Sequence, residues 1–226
     1  MLKGGANLRY FFDSHRYSED IDFDALTDEG WKLEEQVDAV LAAPAVGALL
    51  RSKAVSITHV GKPKQTQTTR RWKVLLDTPK REGISAKIEF SRRDSDARRS
   101  LDPVPSRIVS NYGLRPPTLL HYTAPAATEQ KVRALALRTE TQARDVFDLD
   151  LLFRAHPDAV AKGAVRSATL DDAAQRCVEL PFEAFRAQVI PFIEPDVADL
   201  YDDVESWQQM QSFVVDRLME LDNENN

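Results

Sequence analysis

The sequence predicts an α+β chain, with a mixed sheet and flanking helices in an N-terminal half, residues 1–125, followed by a helical half, residues 126–226. Three observations predict it. Apolar and polar residues alternate around residues 20–24, 55–60, 71–76 and 84–90, the period of strands. From Thr128 onward apolar residues recur at helical spacing instead. Between the two regimes, residues 101–125 hold five of the twelve prolines, Pro103, Pro105, Pro116, Pro117 and Pro125, which marks a non-helical linker. A length of 226 residues with 42% hydrophobic content suits one large domain or two small ones.

In order, Lys3-Gly4-Gly5 punctuates the start of a short helix over Ala6–Phe12, with Leu8, Phe11 and Phe12 on one face. Ile21 and Phe23 alternate with Asp20, Asp22 and Asp24, which predicts a strand with an apolar side toward a core and an acidic side toward a cleft. An amphipathic helix is expected over 31–43, ending near Pro44, with a second helical piece over 46–53. Val55–Val60, Arg71–Leu76 and Ile84–Phe90 then read as a meander of strands, separated by Gly61-Lys62-Pro63-Lys64 and by Thr78–Gly83. In the helical half, Thr128 is the expected N-cap of a helix carrying Val132, Leu135 and Ala136, and Ala143–Phe153 forms the next. Pro157, Pro181, Pro191 and Pro195 divide the remainder, and a helix over Glu205–Leu221 closes it.

Several function classes drop out. No run of about 18 apolar residues exists and the start lacks a secretory pattern, so the expectation is a cytoplasmic protein with no membrane partner. The single cysteine, Cys177, has no disulfide mate and no nearby histidine, and reads as a buried apolar residue. His15, His59, His121 and His156 lack metal-ligand spacing, and neither a P-loop nor a Gly-x-Ser-x-Gly elbow is present. The net charge of -6 hides an asymmetry: residues 51–115 carry 16 Lys and Arg against 6 Asp and Glu, residues 170–226 carry 3 against 14. A basic section in an acidic protein suits contact with phosphate or nucleic acid. Mutual neutralisation of the two sections by packing is the alternative.

Phosphoryl and nucleotidyl transfer need a divalent metal placed between attacking and leaving oxygens more than they need covalent chemistry. Two aspartates at i and i+2 on a strand project to one face, within reach of a hard cation, and Asp20 and Asp22 meet that condition. Glu89 is the third candidate carboxylate, on a strand where it alternates with Ile88 and Phe90 and shares a face with Lys87. It would bind metal or take the proton of an attacking hydroxyl. The glycine pair, Gly4 and Gly5, offers backbone N–H groups at a helix start where a triphosphate would sit. Solvated acidic and Lys–Glu strand faces are the competing readings.

Leu2-Lys3-Gly4-Gly5, followed by Arg16-Tyr17-Ser18-Glu19-Asp20-Ile21-Asp22-Phe23, resembles the AbiEii/AbiGii nucleotidyltransferase toxin family, which includes the MenT toxins and has a polymerase-beta-like nucleotidyltransferase fold. The chain departs at Ala6-Asn7, where that family has Thr-Ala, and its motif opens at residue 3, where relatives carry a leading helix, so a start shorter than theirs is expected. Glu129–Leu135 and Ala143–Leu149 are similar to the family's Lys-x-x-Ala-Leu and Arg-Asp-x-x-Asp-Leu helices. The resemblance implies that Lys131 contacts nucleotide phosphates, while Asp145, and less directly Asp148, completes a polar network. An ordinary ion pair of Arg144-Asp145 with neighbouring helices is the alternative. The expected catalytic set is thus Asp20, Asp22, Glu89, Lys131 and Asp145, with nucleotide contacts at Gly4, Gly5, Ser18, Lys87 and Lys131 and metal at Asp20, Asp22 and Glu89.

The implied activity is transfer of an NMP from an NTP to an acceptor hydroxyl with Mg2+ or Mn2+. The acceptor implied is RNA, tRNA 3′ ends for some members, in a bacterial toxin–antitoxin pair with a cognate antitoxin as partner. Arg92-Arg93 and Arg98-Arg99, within the basic section, offer a surface for RNA. Transfer to a small molecule or protein hydroxyl, and a non-catalytic nucleotide-binding module, are the alternatives.

Overall fold

The computed structural model describes residues 1–26, 30–92, 98–160 and 163–222. Its elements are β1 (Leu2–Lys3), α1 (Gly4–Phe11), β2 (Asp20–Ala25), α2 (Gly30–Ala42), α3 (Pro44–Ser52), β3 (Ser56–Gln65), β4 (Thr69–Thr78), β5 (Arg81–Arg92), β6 (Arg99–Pro103), α4 (Ser106–Val109) and β7 (Thr118–Tyr122). Helices follow: α5 (Ala124–Leu137), α6 (Ala143–Ala155), α7 (Ser167–Glu179), α8 (Phe182–Gln188), α9 (Pro195–Ala198) and α10 (Val204–Asp222). The strands form one mixed seven-stranded sheet in the order β3-β4-β5-β2-β1-β7-β6. β3, β4 and β5 make an antiparallel meander, β5 runs parallel to β2, and β1 is antiparallel to β2 and parallel to β7. The fold class is therefore the α+β one expected, a mixed sheet followed by helices.

Two compact units interleave along the chain. The first comprises Met1–Ala6, Glu19–Asp96 and Leu101–His121; the second comprises Asn7–Ser18, Ala97–Ser100 and Tyr122–Asn226. The last change of unit lies at residues 121–122, and Asn7–Ser18 and residues 98–100 group with the helices.

The first unit buries one face of its sheet around Trp72, which is fully enclosed. Phe90 stacks on Phe23 with ring centroids 4.9 Å apart and meets Trp72 edge-on at 6.0 Å. The Trp72 indole N–H donates to Asp38 of α2 at 2.9 Å, so the ring's polar edge is satisfied as its body is buried. In the second unit Trp207 stacks on Phe185 at 4.6 Å, and Val132, Leu135, Val146, Leu149, Val214 and Leu218 complete the core. Cys177 lies inside that core, and burial pushes its thiol up to about 12, as suits an inert apolar residue.

Four local expectations are corrected. Gly61–Lys64 is not a connection but part of β3, at a register irregularity; β3 is an edge strand, where Pro63 costs no ladder hydrogen bond. Likewise most of Thr78–Gly83 is strand: the Thr78 hydroxyl donates to the Arg81 carbonyl at 3.0 Å and accepts its N–H at 3.1 Å, closing a tight turn over Pro79-Lys80. Residues 101–125 are not a bare linker, since they contain most of β6, all of α4 and β7, and the start of α5. Pro103 ends β6 at the sheet's far edge, again where a missing N–H is tolerated.

Thr128 is the fourth correction. α5 starts at Ala124, because Pro125 has its φ preset for a first helical turn and needs no N–H partner there. Thr128 is therefore interior, and its hydroxyl donates to the Ala124 carbonyl at 2.8 Å.

Candidate active site

β2 holds a polar side and an apolar side, but not as plain alternation suggests. Asp24 is 1% exposed and ion-paired with Lys3, whereas Ile21 is 37% exposed. The reason is position along the strand. β1 pairs with the later half of β2, Leu2 opposite Phe23 and Lys3 opposite Asp22, and encloses Asp24 with a matching ammonium. Asp20 and Asp22 lie at its more open end, half-buried.

Register assembles the rest of this face. Asp20 stands opposite Lys87 and Asp22 opposite Glu89 across the parallel β2–β5 pair; Glu89 stands opposite Arg71, and Lys87 opposite Lys73, across β5–β4. Side chains directly opposite share a face of the sheet, so these three carboxylates and three cations share one surface with the Lys3–Asp24 pair. Asp20 is ion-paired with Lys87. Glu89 Oε2 accepts from Arg71 Nε at 2.7 Å and lies 2.6 Å from Arg71 Nη2, while Glu89 Oε1 accepts from the Ser91 hydroxyl at 3.3 Å.

The electrostatics differ between the acids. The pKa of Asp22 is raised, first by burial and then by the negative charges of Asp20 and Glu89, against which Lys87 and Lys3 act only in part. Burial works in the same direction on Glu89, but the Arg71 guanidinium outweighs it and holds that carboxyl below the usual range. Asp22 is thus the under-compensated charge of the face. Among the described residues no three His, Cys, Asp or Glu close into a ready-made metal cage. The donor set nevertheless fits a hard divalent cation, because Mg2+ keeps several waters and takes one or two carboxylates.

Gly4 borders the same carboxylate. Its φ is +67°, and a Cβ there would lie 3.0 Å from Asp22 Oδ2, so only glycine carries the chain from β1 into α1 at this point. Gly4→Ala is expected to destabilise the protein by about 1–2 kcal/mol through the left-handed backbone alone, and to displace the Asp22 carboxylate. A thermal melt and a transfer assay check it, and unchanged values in both would sink the assignment. Gly5 follows in the first turn of α1, and Ser18 is half-buried two residues ahead of β2.

The second unit carries its own charge cluster. Lys131 Nζ of α5 lies 2.9 Å from Asp145 Oδ1 and 2.5 Å from Asp148 Oδ2 of α6. Arg16 grips Asp148 through Nη2 at 3.1 and 3.2 Å and through Nε at 3.3 Å, and Arg138 Nε donates to Asp145 Oδ2 at 2.7 Å. Both aspartates are fully buried, with Arg16 and Lys131 nearly so. Burial alone works to depress Lys131, but Asp145 and Asp148 outweigh it and its pKa is raised; burial works to raise Asp148, but Lys131 and Arg16 outweigh it and lower it. Asp145 thus pairs with Lys131 and Arg138 in a buried network rather than in an exposed ion pair of the ordinary kind.

Among the expected residues, Asp20, Asp22, Lys87 and Glu89 share one face of the first unit's sheet, bordered by Gly4, while Lys131 and Asp145 belong to the second unit's network. Sequence reasoning gave no role to Arg71, Lys3 or Arg16. Arg71 and Lys3 acquire their partners from strand register, which the sequence does not display, although Lys3 and Arg16 both stand within the segments that carry the resemblance. Arg93 lies outside the described residues. No helix among the described residues is long and apolar enough to cross a membrane.

The fold has solved counterparts. A Helicobacter pylori protein solved as a candidate nucleotidyltransferase aligns with a TM-score of 0.59 at 16% identity, covering 99% of this chain and 86% of that one. JHP933 from Helicobacter pylori gives 0.58 at 18% identity, with 100% and 88% covered. MenT4, a nucleotidyltransferase toxin from Mycobacterium tuberculosis H37Rv, gives 0.56 at 21% identity, with 99% and 76% covered. No curated protein matches the sequence. The family model described as nucleotidyl transferase AbiEii toxin, type IV TA system, matches residues 1–218, nearly the whole chain. The chain belongs to the AbiEii nucleotidyltransferase toxin family.

Proposed function

We propose that this protein moves a nucleoside monophosphate from an NTP to a hydroxyl of RNA, in particular tRNA, using a divalent cation, Mg2+ or Mn2+, and that it acts in the cytoplasm as the toxin of a pair with a cognate antitoxin. The observation that carries the chemistry is the desolvated Asp22 carboxylate, with Asp20 and Glu89 as negative neighbours, beside the Gly4 turn. Asp20 and Asp22, flanked by Glu89, would hold the cation, which when bound neutralises triphosphate charge and polarises the α-phosphorus. Catalysis is assigned to residues 1–125, with 126–226 as the helical domain.

The chain's own groups account for the remaining needs of the reaction. Backbone N–H groups of Gly4 and Gly5 at the start of α1 face the nucleotide phosphates, with Ser18 and Lys87 as further contacts. The acceptor oxygen forms a bond to the α-phosphorus, the bond from that phosphorus to the bridging oxygen breaks, and pyrophosphate leaves. The acceptor proton goes to Glu89 Oε1: Arg71 occupies Oε2 and keeps the carboxyl ionised, while Oε1 accepts only the 3.3 Å hydrogen bond of the Ser91 hydroxyl and retains a lone pair for the proton. Lys131 and Asp145 are positioning residues by their own surroundings, while the phosphate contact of Lys131 rests on the family resemblance. The RNA acceptor is supported by the excess of Lys and Arg over residues 51–115.

The test is label transfer from each of the four α-labelled NTPs to total tRNA, other RNA pools and RNA-free protein, with Mg2+, Mn2+ or EDTA. Label on tRNA that is lost with EDTA is expected, with a yield that falls steeply as salt rises. Label on protein or on a small molecule, insensitive to salt, would replace the RNA reading. NTP binding without transfer to any acceptor would remove the enzyme reading altogether.

A further inference from the structure

The sheet face that carries the carboxylates continues away from them into a strip of cations. One row across the strands reads Asp20, Lys87, Lys73, Gly61, from β2 through β5 and β4 to β3. The next row reads Asp22, Glu89, Arg71, Lys64. Lys87 and Arg71 are committed to Asp20 and Glu89, but Lys73 and Lys64 are exposed and make no ion pair among the described residues.

Lys73 is the unusual member. It stands directly opposite Lys87, and like charges directly opposite across strands are destabilising. Neither neighbour in its row offers it an anion, and the diagonal Glu89 is held by Arg71: Gly61 on its other side has no side chain, and the group leaning over Gly61 is the imidazole of His59, whose Nε2 would sit 3.4 Å from a Cβ placed there. Edge protection does not explain the lysine either, since β4 is an interior strand, paired on both sides. Lys73 thus stands without an ion pair among the described residues, two strand spacings or about 10 Å from the Asp20 column, on the side of Glu89 remote from Gly4.

From this geometry we infer that Lys73 is an acceptor-side specificity residue, contacting a phosphodiester of the nucleic-acid acceptor close to the hydroxyl that is extended. The inference rests on the RNA reading above and adds a residue to it. The side of Asp22 bordered by Gly4 is left to the NTP, so an anion that satisfies Lys73 comes from the other substrate. A phosphodiester placed against Lys73 supplies the anion that this part of the strip lacks, with Lys64 further along it. An acceptor without phosphate gains nothing from it.

The experiment compares wild type, Lys73→Met and Lys73→Arg for binding of a fluorescent single-stranded RNA oligonucleotide across a salt series, and for label transfer to the same RNA. For Lys73→Met the expected result is about a tenfold loss in RNA affinity and about a tenfold rise in KM for RNA, the size of one charge-assisted contact. KM for NTP is unchanged, and the slope of log affinity against log salt is reduced by about 0.7. Lys73→Arg restores affinity and slope. The melting temperature of Lys73→Met is unchanged or higher, because a repulsive pair is relieved, which separates the effect from misfolding. Wild-type RNA binding with an unaltered Lys73→Met variant overturns the role of Lys73 alone, and so does a rise in KM for NTP. Absence of RNA binding and transfer in wild type overturns the RNA reading, and this inference with it.

Discussion

Asp22→Asn is expected to lower transfer by about 10²–10³-fold, the order of loss on removing one preorganised electrostatic contact to a transition state, a contact made here through the cation that Asp22 would hold, while making the metal-free protein more stable. The two effects have one cause. Burial and the charges of Asp20 and Glu89 raise the pKa of Asp22, so the folded protein bears a charged carboxylate it disfavours. The sign follows from linkage: a carboxyl that binds its proton more tightly when folded favours the folded state at low pH and loses that advantage as pH rises through the raised value. At neutral pH the penalty is present, and the isosteric amide removes it.

A bound cation would remove the same penalty in wild type. Saturating Mg2+ or Mn2+ at a hundredfold excess over Kd should stabilise wild type by about 2.7 kcal/mol and leave Asp22→Asn nearly unmoved. On the acid side, transfer should begin to fail above the pH at which an ordinary aspartate titrates, because protons compete with the cation at Asp22. Calorimetric melts with and without metal, together with a pH–rate profile, read all three. Equal metal stabilisation of wild type and Asp22→Asn would show that the cation sits elsewhere.

Asp148→Ala is expected to cost about 3–5 kcal/mol of stability, the penalty for leaving buried charge without its partner. That is a large share of a typical total of about 5–15 kcal/mol. Asp148 faces both Arg16 and Lys131, all three buried. Lys131→Met should cost less, because Asp148 keeps Arg16 and Asp145 keeps Arg138. The pH dependence follows from the two shifts. The lowered pKa of Asp148 contributes stability above its unfolded value, lost as pH falls through the folded one; the raised pKa of Lys131 contributes stability below its unfolded value, lost as pH rises through the folded one. Denaturant titrations of both variants at acid, neutral and alkaline pH measure this, and a loss under 1 kcal/mol for Asp148→Ala would mean the cluster is solvated. If Lys131→Met is stable yet inactive, its role lies at the nucleotide rather than in the network.

How far the sequence could be read differs from element to element. β2, the meander and the helices from Ala143 onward were legible because their hydrophobic periods are strong and their ends are marked by proline or glycine. Gly61–Lys64 and Pro125 were misread for a common reason: a proline is a breaker only where its missing N–H is needed, and edge strands and first helical turns do not need it. Asp20, Asp22 and the glycine turn stood out as a local motif, since residues at i and i+2 must share a face of a strand. Glu89 and Lys87 were found by the same rule applied to a second strand.

Determined by the sequence alone, then, were the fold class, the acidic strand behind a glycine turn and the family those residues resemble, all of which depend on short-range spacing. Decided only by tertiary structure were the partners: Lys3 on Asp24, Arg71 on Glu89, Lys87 on Asp20, and Arg16 with Lys131 on Asp148. Strand register and helix packing set which distant charges meet, and burial sets which of them is left under-compensated. That is why Asp22, alike in sequence to Asp20 and Asp24, differs from both in its surroundings.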